Sequence, residues 1–196
     1  KNNELLHSNL RYSKIFFYCY VNSLDTSLFQ FCVFHQYFSL SNSFGTMLTI
    51  TVPPSYGYVI IGAGILPVVT SLYLGSQVMA ARNKFNVEYP NCYAVPKYHD
   101  HADEFNRVQR GHQNYLENIG GYTIMTLIGG LKHPISCAVG SVLYCVGSAL
   151  YLKGYADTSL DVKMARYKKG AGIKWIGFFV SFYSTCAYAY SCITAA

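Results

Sequence analysis

Charge is what this chain has least of. Only 12% of its 196 residues are Asp, Glu, Lys or Arg, about half the roughly 25% usual in soluble domains. An ordinary water-soluble domain does not fit that composition. Paired cysteine motifs are missing too. The seven cysteines (Cys19, Cys32, Cys92, Cys137, Cys145, Cys186 and Cys192) stand singly, with no Cys-x-x-Cys, which argues against a disulfide scaffold and against a zinc site. No segment has the basic start, apolar core and small-residue cleavage site of a secretory signal. His99-Asp100-His101 with Asp103 carries metal-binding atoms, but it lies in a loop without a rigid partner, and no metal is expected there.

What is abundant is apolar surface. Hydrophobic residues make up 52% of the chain, and they gather into runs long enough to cross a membrane. The expected spans are about 56–81, 104–131, 135–155 and 173–193. Pro53-Pro54 closes off the first span upstream, and Pro67 inside it is tolerable as a kink. Lys132-His133-Pro134 is a tight turn between the second and third. Four helices with short connections favour an antiparallel bundle. The fold class is therefore an all-α membrane protein with four transmembrane helices over residues 47–196. Residues 1–46 differ in character, with aromatic clusters broken by polar stretches, and the first methionine is Met47. They are expected to be an atypical extension, either absent from the working protein or disordered.

The net charge of +6 sits beside the apolar spans, which suits cytosolic loops and anionic lipid headgroups rather than nucleic acid. The first loop and its helix ends carry Arg82, Lys84, Lys97, Arg107 and Arg110. The third carries Lys153, Lys163, Arg166, Lys168, Lys169 and Lys174, and the second only Lys132. The positive-inside rule then places loops one and three in the cytosol.

One stretch of the second span stands out. Arg107, Arg110, Asn114 and Glu117 fall at steps of three, four and three, so they share a helix face. Just beyond lies the apolar run Tyr122-Thr-Ile-Met-Thr-Leu-Ile-Gly-Gly-Leu131. A charge at mid-helix in lipid costs roughly 2.5–3.5 kcal/mol, so these groups must face protein, water, one another or a polar ligand. Two readings follow from the residues alone. One is an intrahelical ion-pair network joining Arg110 to Glu117 through Asn114. The other is a socket for a small zwitterionic or anionic ligand near the membrane surface. Tyr151 and Tyr155, one turn apart at the end of the third span, open to the same side as the stripe and favour the socket.

Four motifs carry a resemblance. They are Arg82-x-Lys-Phe-x-Val-Glu-Tyr-Pro90, Phe105-Asn-x-Val-Gln-Arg-Gly-His-Gln-Asn-x-Leu-Glu117, Gly129-Gly-x-Lys-His-Pro134 and Tyr151-x-Lys-Gly-Tyr155. In these the chain resembles the MAPEG proteins, the membrane-associated proteins of eicosanoid and glutathione metabolism, and within them the type-three microsomal glutathione S-transferases. The resemblance covers roughly residues 56–193. It implies a homotrimer in the endoplasmic reticulum, with the mitochondrial outer membrane as the alternative. Glutathione, a co-substrate rather than a tightly bound cofactor, would lie between neighbouring subunits near the cytosolic face.

By matching position, Arg110, Asn114 and Glu117 would hold the charged ends and backbone of the peptide. Tyr151 and Tyr155 would complete the site, and Arg82 would add positive charge. His112 lies about 200° around the helix from Arg110, so any contact from it would be made in the adjoining subunit's site. Two departures stand out. Asn118 replaces a tyrosine, and the third loop is about three residues longer than in close relatives. Anchoring on Gly170 selects Arg166 as the thiol-activating cation, whereas counting forward from Tyr155 lands near Lys163. Arg166 is preferred because a guanidinium stays cationic.

The activity implied is transfer of glutathione, as thiolate, to lipophilic electrophiles, with reduction of lipid hydroperoxides as a second chemistry. Two other functions share some of these features, a non-catalytic lipid-binding scaffold and a small membrane transporter. The polar stripe stops near Glu117, which disfavours a path through the membrane.

Overall fold

Proline sets the first boundary of the fold in a computed structural model that describes residues 51–195. The expectation for residues 1–46 lies outside the described residues. The Pro53 carbonyl accepts from the Tyr56 N–H at 2.8 Å, and helix α1 runs from there over Tyr56–Lys84. Pro67 has no N–H to return to the turn before it. That turn, Ile61–Ile65, is wound as a π-helix, with the Leu66 N–H reaching back five residues to the Ile61 carbonyl. The internal proline is thus absorbed by a wider turn immediately ahead of it.

Helix α2 (Ala102–Gly130) opens with Asp103 and Glu104 in its first turn, where carboxylates suit the positive end of the helix dipole. A three-residue turn leads to α3 (Pro134–Tyr155), which carries proline at its first position where a missing N–H costs nothing. The stretch expected to be a plain basic loop, 157–169, contains a further short helix. This is α4 (Val162–Lys168), and the Asp161 side chain caps it by accepting from the Lys163 N–H at 3.2 Å. Helix α5 (Ile173–Thr194) ends the fold.

Successive long helices run antiparallel. The Tyr56 hydroxyl donates to the Leu127 carbonyl near one end of the α1–α2 pair, and the Tyr115 hydroxyl donates to the Pro67 carbonyl near its middle. On α3, Tyr144 stacks on Tyr122 of α2 at 3.7 Å between ring centroids. α5 runs parallel to α2. Thr126 donates to Ser181, Ser181 to the Tyr122 hydroxyl, and Thr185 to the Met125 carbonyl.

The burial pattern is reversed from that of a soluble bundle. Thr70, Thr126, Ser141, Ser148, Ser181 and Ser184 are buried, while Ile61, Ile65, Val68, Leu72, Val139, Val142, Ile176, Phe179 and Phe182 are exposed. The inner hydroxyls return their protons to carbonyls four residues back, as Thr70 does to Leu66, Ser141 to Cys137 and Ser148 to Tyr144. Most of these small polar side chains are therefore satisfied within their own helix, and Ser181 is satisfied across to Tyr122. Apolar outside and small-polar inside is what helices packing in lipid require.

By length and composition α1, α3 and α5 can each cross a membrane. α2 is as long as α1, but its charged first half leaves it outside that set.

Candidate functional site

The C-terminal end of α1, the first half of α2, the end of α3, α4 and the start of α5 meet at one end of the bundle. Arg82, only 8% exposed, organises the first loop. Its guanidinium donates to the carbonyls of Val87 and Asn91 at 2.9 Å and of Glu88 at 3.4 Å, and it stacks 4.3 Å from the Tyr89 ring. Asn106 of α2 grips the same loop from the other side. Its amide accepts from the Ala94 N–H at 2.7 Å and donates to the Ala94 carbonyl at 2.9 Å. Val87 and Ala94 then pack into an apolar cluster with Val78, Ala81, Ala102 and Phe105.

Arg82, expected as a ligand contact, holds this loop within one chain. Arg82→Ala is expected to accelerate proteolytic nicking between Phe85 and His101 by tenfold or more without any ligand present. The measure is the rate of limited digestion of the detergent-solubilised protein.

The third loop is tied down by the residue with which the stripe begins. Arg107, 6% exposed, turns away from its stripe neighbours. Its Nε donates to the Tyr155 carbonyl at 2.7 Å, and another guanidinium N–H donates to the carbonyls of Asp157 at 2.8 Å and Leu160 at 3.2 Å. A guanidinium at these carbonyls satisfies a helix C-terminus and complements its dipole. Asp157 closes the loop further by pairing with Lys169 at 2.8 Å and accepting from Ser159. The Lys169 ammonium, followed by the Ser159 groups, holds the Asp157 carboxyl well below its usual range, at about 2.

α4 lies directly on the end of α3. A Cβ at Gly154 would sit 2.5 Å from the Ala165 carbonyl oxygen, so only glycine permits this approach.

That seating brings Arg166 to the tyrosine pair. Its guanidinium lies 5.9 Å from the Tyr155 ring centroid. The neighbouring Tyr151 phenol pushes its pKa further up, so it is a permanent cation. Its Nε is buried and has no hydrogen-bond partner among the described residues. Lys163, the alternative cation one turn before it, is exposed.

Arg110 and Glu117 bond directly at 2.7 Å, two turns apart and about 43–44% exposed. The link does not run through Asn114, as the ion-pair reading had it. The Asn114 side chain turns inward, where its Oδ1 accepts from Lys174 Nζ at 2.8 Å. Tyr151 lies within electrostatic reach of both Arg110 and Arg166, and its ring centroid is 5.2 Å from Lys174 Nζ. Arg110, Asn114, Glu117, Tyr151, Tyr155 and Arg166 therefore lie together in one polar cluster. His112 stands apart on another face of α2, half-buried and without a side-chain hydrogen bond among the described residues.

Two contributors escaped the sequence reading, as did the role of a third. Lys174 had been grouped with the third-loop charges, although it is the only charged residue in α5, which is itself a signal of function in an apolar span. Tyr93, whose hydroxyl meets the Gln113 side chain beside the stripe, gave no signal because its loop had no evident partner. Arg107 was recognised, but the helical period alone could not say that it serves the third loop.

Such a cluster offers the groups a small peptide-like ion needs, with a guanidinium for a carboxylate, a carboxylate for an ammonium and a separate cation for a third group. The family model described as MAPEG family matches residues 60–193.

Proposed function

Because the chain belongs to the MAPEG family, we propose that it is a membrane-bound glutathione transferase of the type-three microsomal branch. It works as a homotrimer in the endoplasmic reticulum, with its site facing the cytosol. The family includes glutathione transferases and other enzymes, so the activity is argued from the site. The supporting observation is the convergence of Arg110, Asn114, Glu117, Tyr151 and Arg166 at one end of the bundle.

The chemistry asked of these residues is modest. A thiol with a pKa of about 8.5 is only a few per cent ionised at neutral pH. A cation that lowers this by about two units contributes on the order of 2.7 kcal/mol. Arg166 is the candidate, since its buried Nε–H has no acceptor of its own and a thiolate would provide one.

Transfer then proceeds with the thiol proton passing to water and the sulfur forming a bond to an electrophilic carbon as the leaving group departs with its electron pair. With a lipid hydroperoxide, the thiolate takes the terminal oxygen and the lipid alcohol leaves. A second glutathione then converts the sulfenic acid to the disulfide and water. The exposed apolar faces of α1 and α5 allow the lipophilic partner to arrive through the bilayer.

Binding of reduced glutathione to purified, detergent-solubilised protein tests the reading, together with conjugation and hydroperoxide assays. Arg110→Ala and Glu117→Gln are each expected to raise the glutathione Kd about tenfold or more while the oligomer persists. Normal binding in both variants, with only thermal stability lost, would make the Arg110–Glu117 pair a helix staple and remove the support for a glutathione site.

A further inference from the structure

Lys174 is a cation inside an apolar bundle, 4% exposed, and no carboxylate pairs with it among the described residues. An ammonium in such a place needs acceptors. It has the Asn114 side-chain oxygen at 2.8 Å and the faces of Tyr144 and Tyr151 at 5.3 and 5.2 Å, the latter pair within cation–π range. Its backbone is clamped as well, because α3 passes so close that a Cβ at Gly147 would lie 2.3 Å from the Lys174 nitrogen. The point from which the side chain reaches Asn114 is therefore fixed.

This contact decides which way round an amide stands. A lysine ammonium only donates, so the Asn114 oxygen must face it and the NH2 must face away. That NH2 group has no hydrogen-bond partner among the described residues. Its residue lies between Arg110 and Glu117 on the exposed stripe. We propose that Lys174 is a positioning residue, which acts through Asn114 by locking its amide so that the NH2 donates to an acceptor on the bound peptide. This rests on the reading of the cluster as a glutathione site, and it specifies what that site takes opposite Asn114, a carbonyl or carboxylate oxygen and never a donor.

The full-length chain in detergent, with reduced glutathione as the probe, provides the test. Lys174→Met is expected to raise the glutathione Kd about tenfold and to leave kcat at saturation within about twofold. Lys174→Arg, which still donates, should recover binding to within about threefold of wild type. Asn114→Ala should cost the same tenfold, and the double variant no more than either single one, since both remove one contact. Unchanged binding in Lys174→Met, or losses that multiply to about a hundredfold in the double variant, would overturn the proposal. So would a failure of Lys174→Arg to recover binding.

If Lys174→Met does not fold, Asn114→Asp decides. It keeps a partner for the ammonium and removes the NH2 donor, so it should fold with its thermal midpoint kept or raised and bind about tenfold more weakly. Wild-type affinity in that variant sinks the idea. Absence of glutathione binding by the wild type overturns the site reading and this inference together. Binding lost in Arg110→Ala but kept in Lys174→Met overturns this inference alone.

Discussion

Arg166→Ala is expected to return the thiol of bound glutathione to a pKa near 8.5, from about two units lower in the wild type. At pH 6.5 the ionised fraction then falls from about one half to about one hundredth, so turnover should fall roughly fifty-fold. The sign is specific. The deficit is full below the wild-type thiol pKa, shrinks as pH rises from about 6.5 to about 8.5 and vanishes once both enzymes hold thiolate. Glutathione affinity should change much less than turnover, because the guanidinium interacts with the thiolate more strongly than with the thiol. Lys163→Ala should be nearly silent, since its side chain is exposed. Thiolate absorbance against pH in both variants measures this. An unshifted pKa in Arg166→Ala with a raised one in Lys163→Ala would reverse the assignment.

Gly147→Ala is expected to be among the most destabilising single changes in the bundle. The added carbon would lie 2.3 Å from the nitrogen and 2.6 Å from the Cα of Lys174. Both are backbone atoms and neither can swing aside, so α3 and α5 must move apart along their whole contact. Overpacking of this kind costs about 1–3 kcal/mol, occasionally more. Here it also disturbs the Lys174–Asn114 bond. Thermal unfolding in detergent should show a midpoint lowered by several degrees and weaker glutathione binding. Gly57→Ala is the control, because a Cβ there meets nothing within 4 Å, and it should leave the midpoint nearly unchanged. Equal midpoints for the two variants would mean that the close crossing is not a constraint.

Which parts of this were legible beforehand follows from the range of the interactions involved. Long helix boundaries come from local chemistry, and Pro53-Pro54, Pro134 and the lengths of the apolar runs put every long helix within a few residues of its observed limits. The seven residues of α4 escaped because they lie in a polar, charge-rich stretch. Their helix is held by one Asp161 cap and by Ala165 seated on Gly154, a contact eleven residues away in sequence that no period reveals.

The stripe on α2 shows the same division. Its shared face was visible, but not that Arg107 leaves it for the third loop or that Asn114 belongs to Lys174, sixty residues on. Lys174 itself was misread because a charge at the margin of an apolar run looks like a boundary until the crossing of α3 and α5 places it inside.

The π turn at Ile61–Ile65 has a consequence for how α1 could tolerate change. An α-helix advances about 100° per residue, so a wider turn acts as a phase adjuster between the two halves of the rod. Val59 is aimed at the Gly130 end of α2 on one side of it, and Leu74, Val78 and Arg82 point inward on the other. A π turn winds about one extra residue into nearly the same rotation, so losing one residue from it restores regular winding and leaves the two parts of the rod in nearly the same relative phase. Arg82, about five turns away, then still points inward and keeps the first loop. The loss of a residue from the regular winding between this turn and Arg82 would instead rotate the charges at the far end by about 100°.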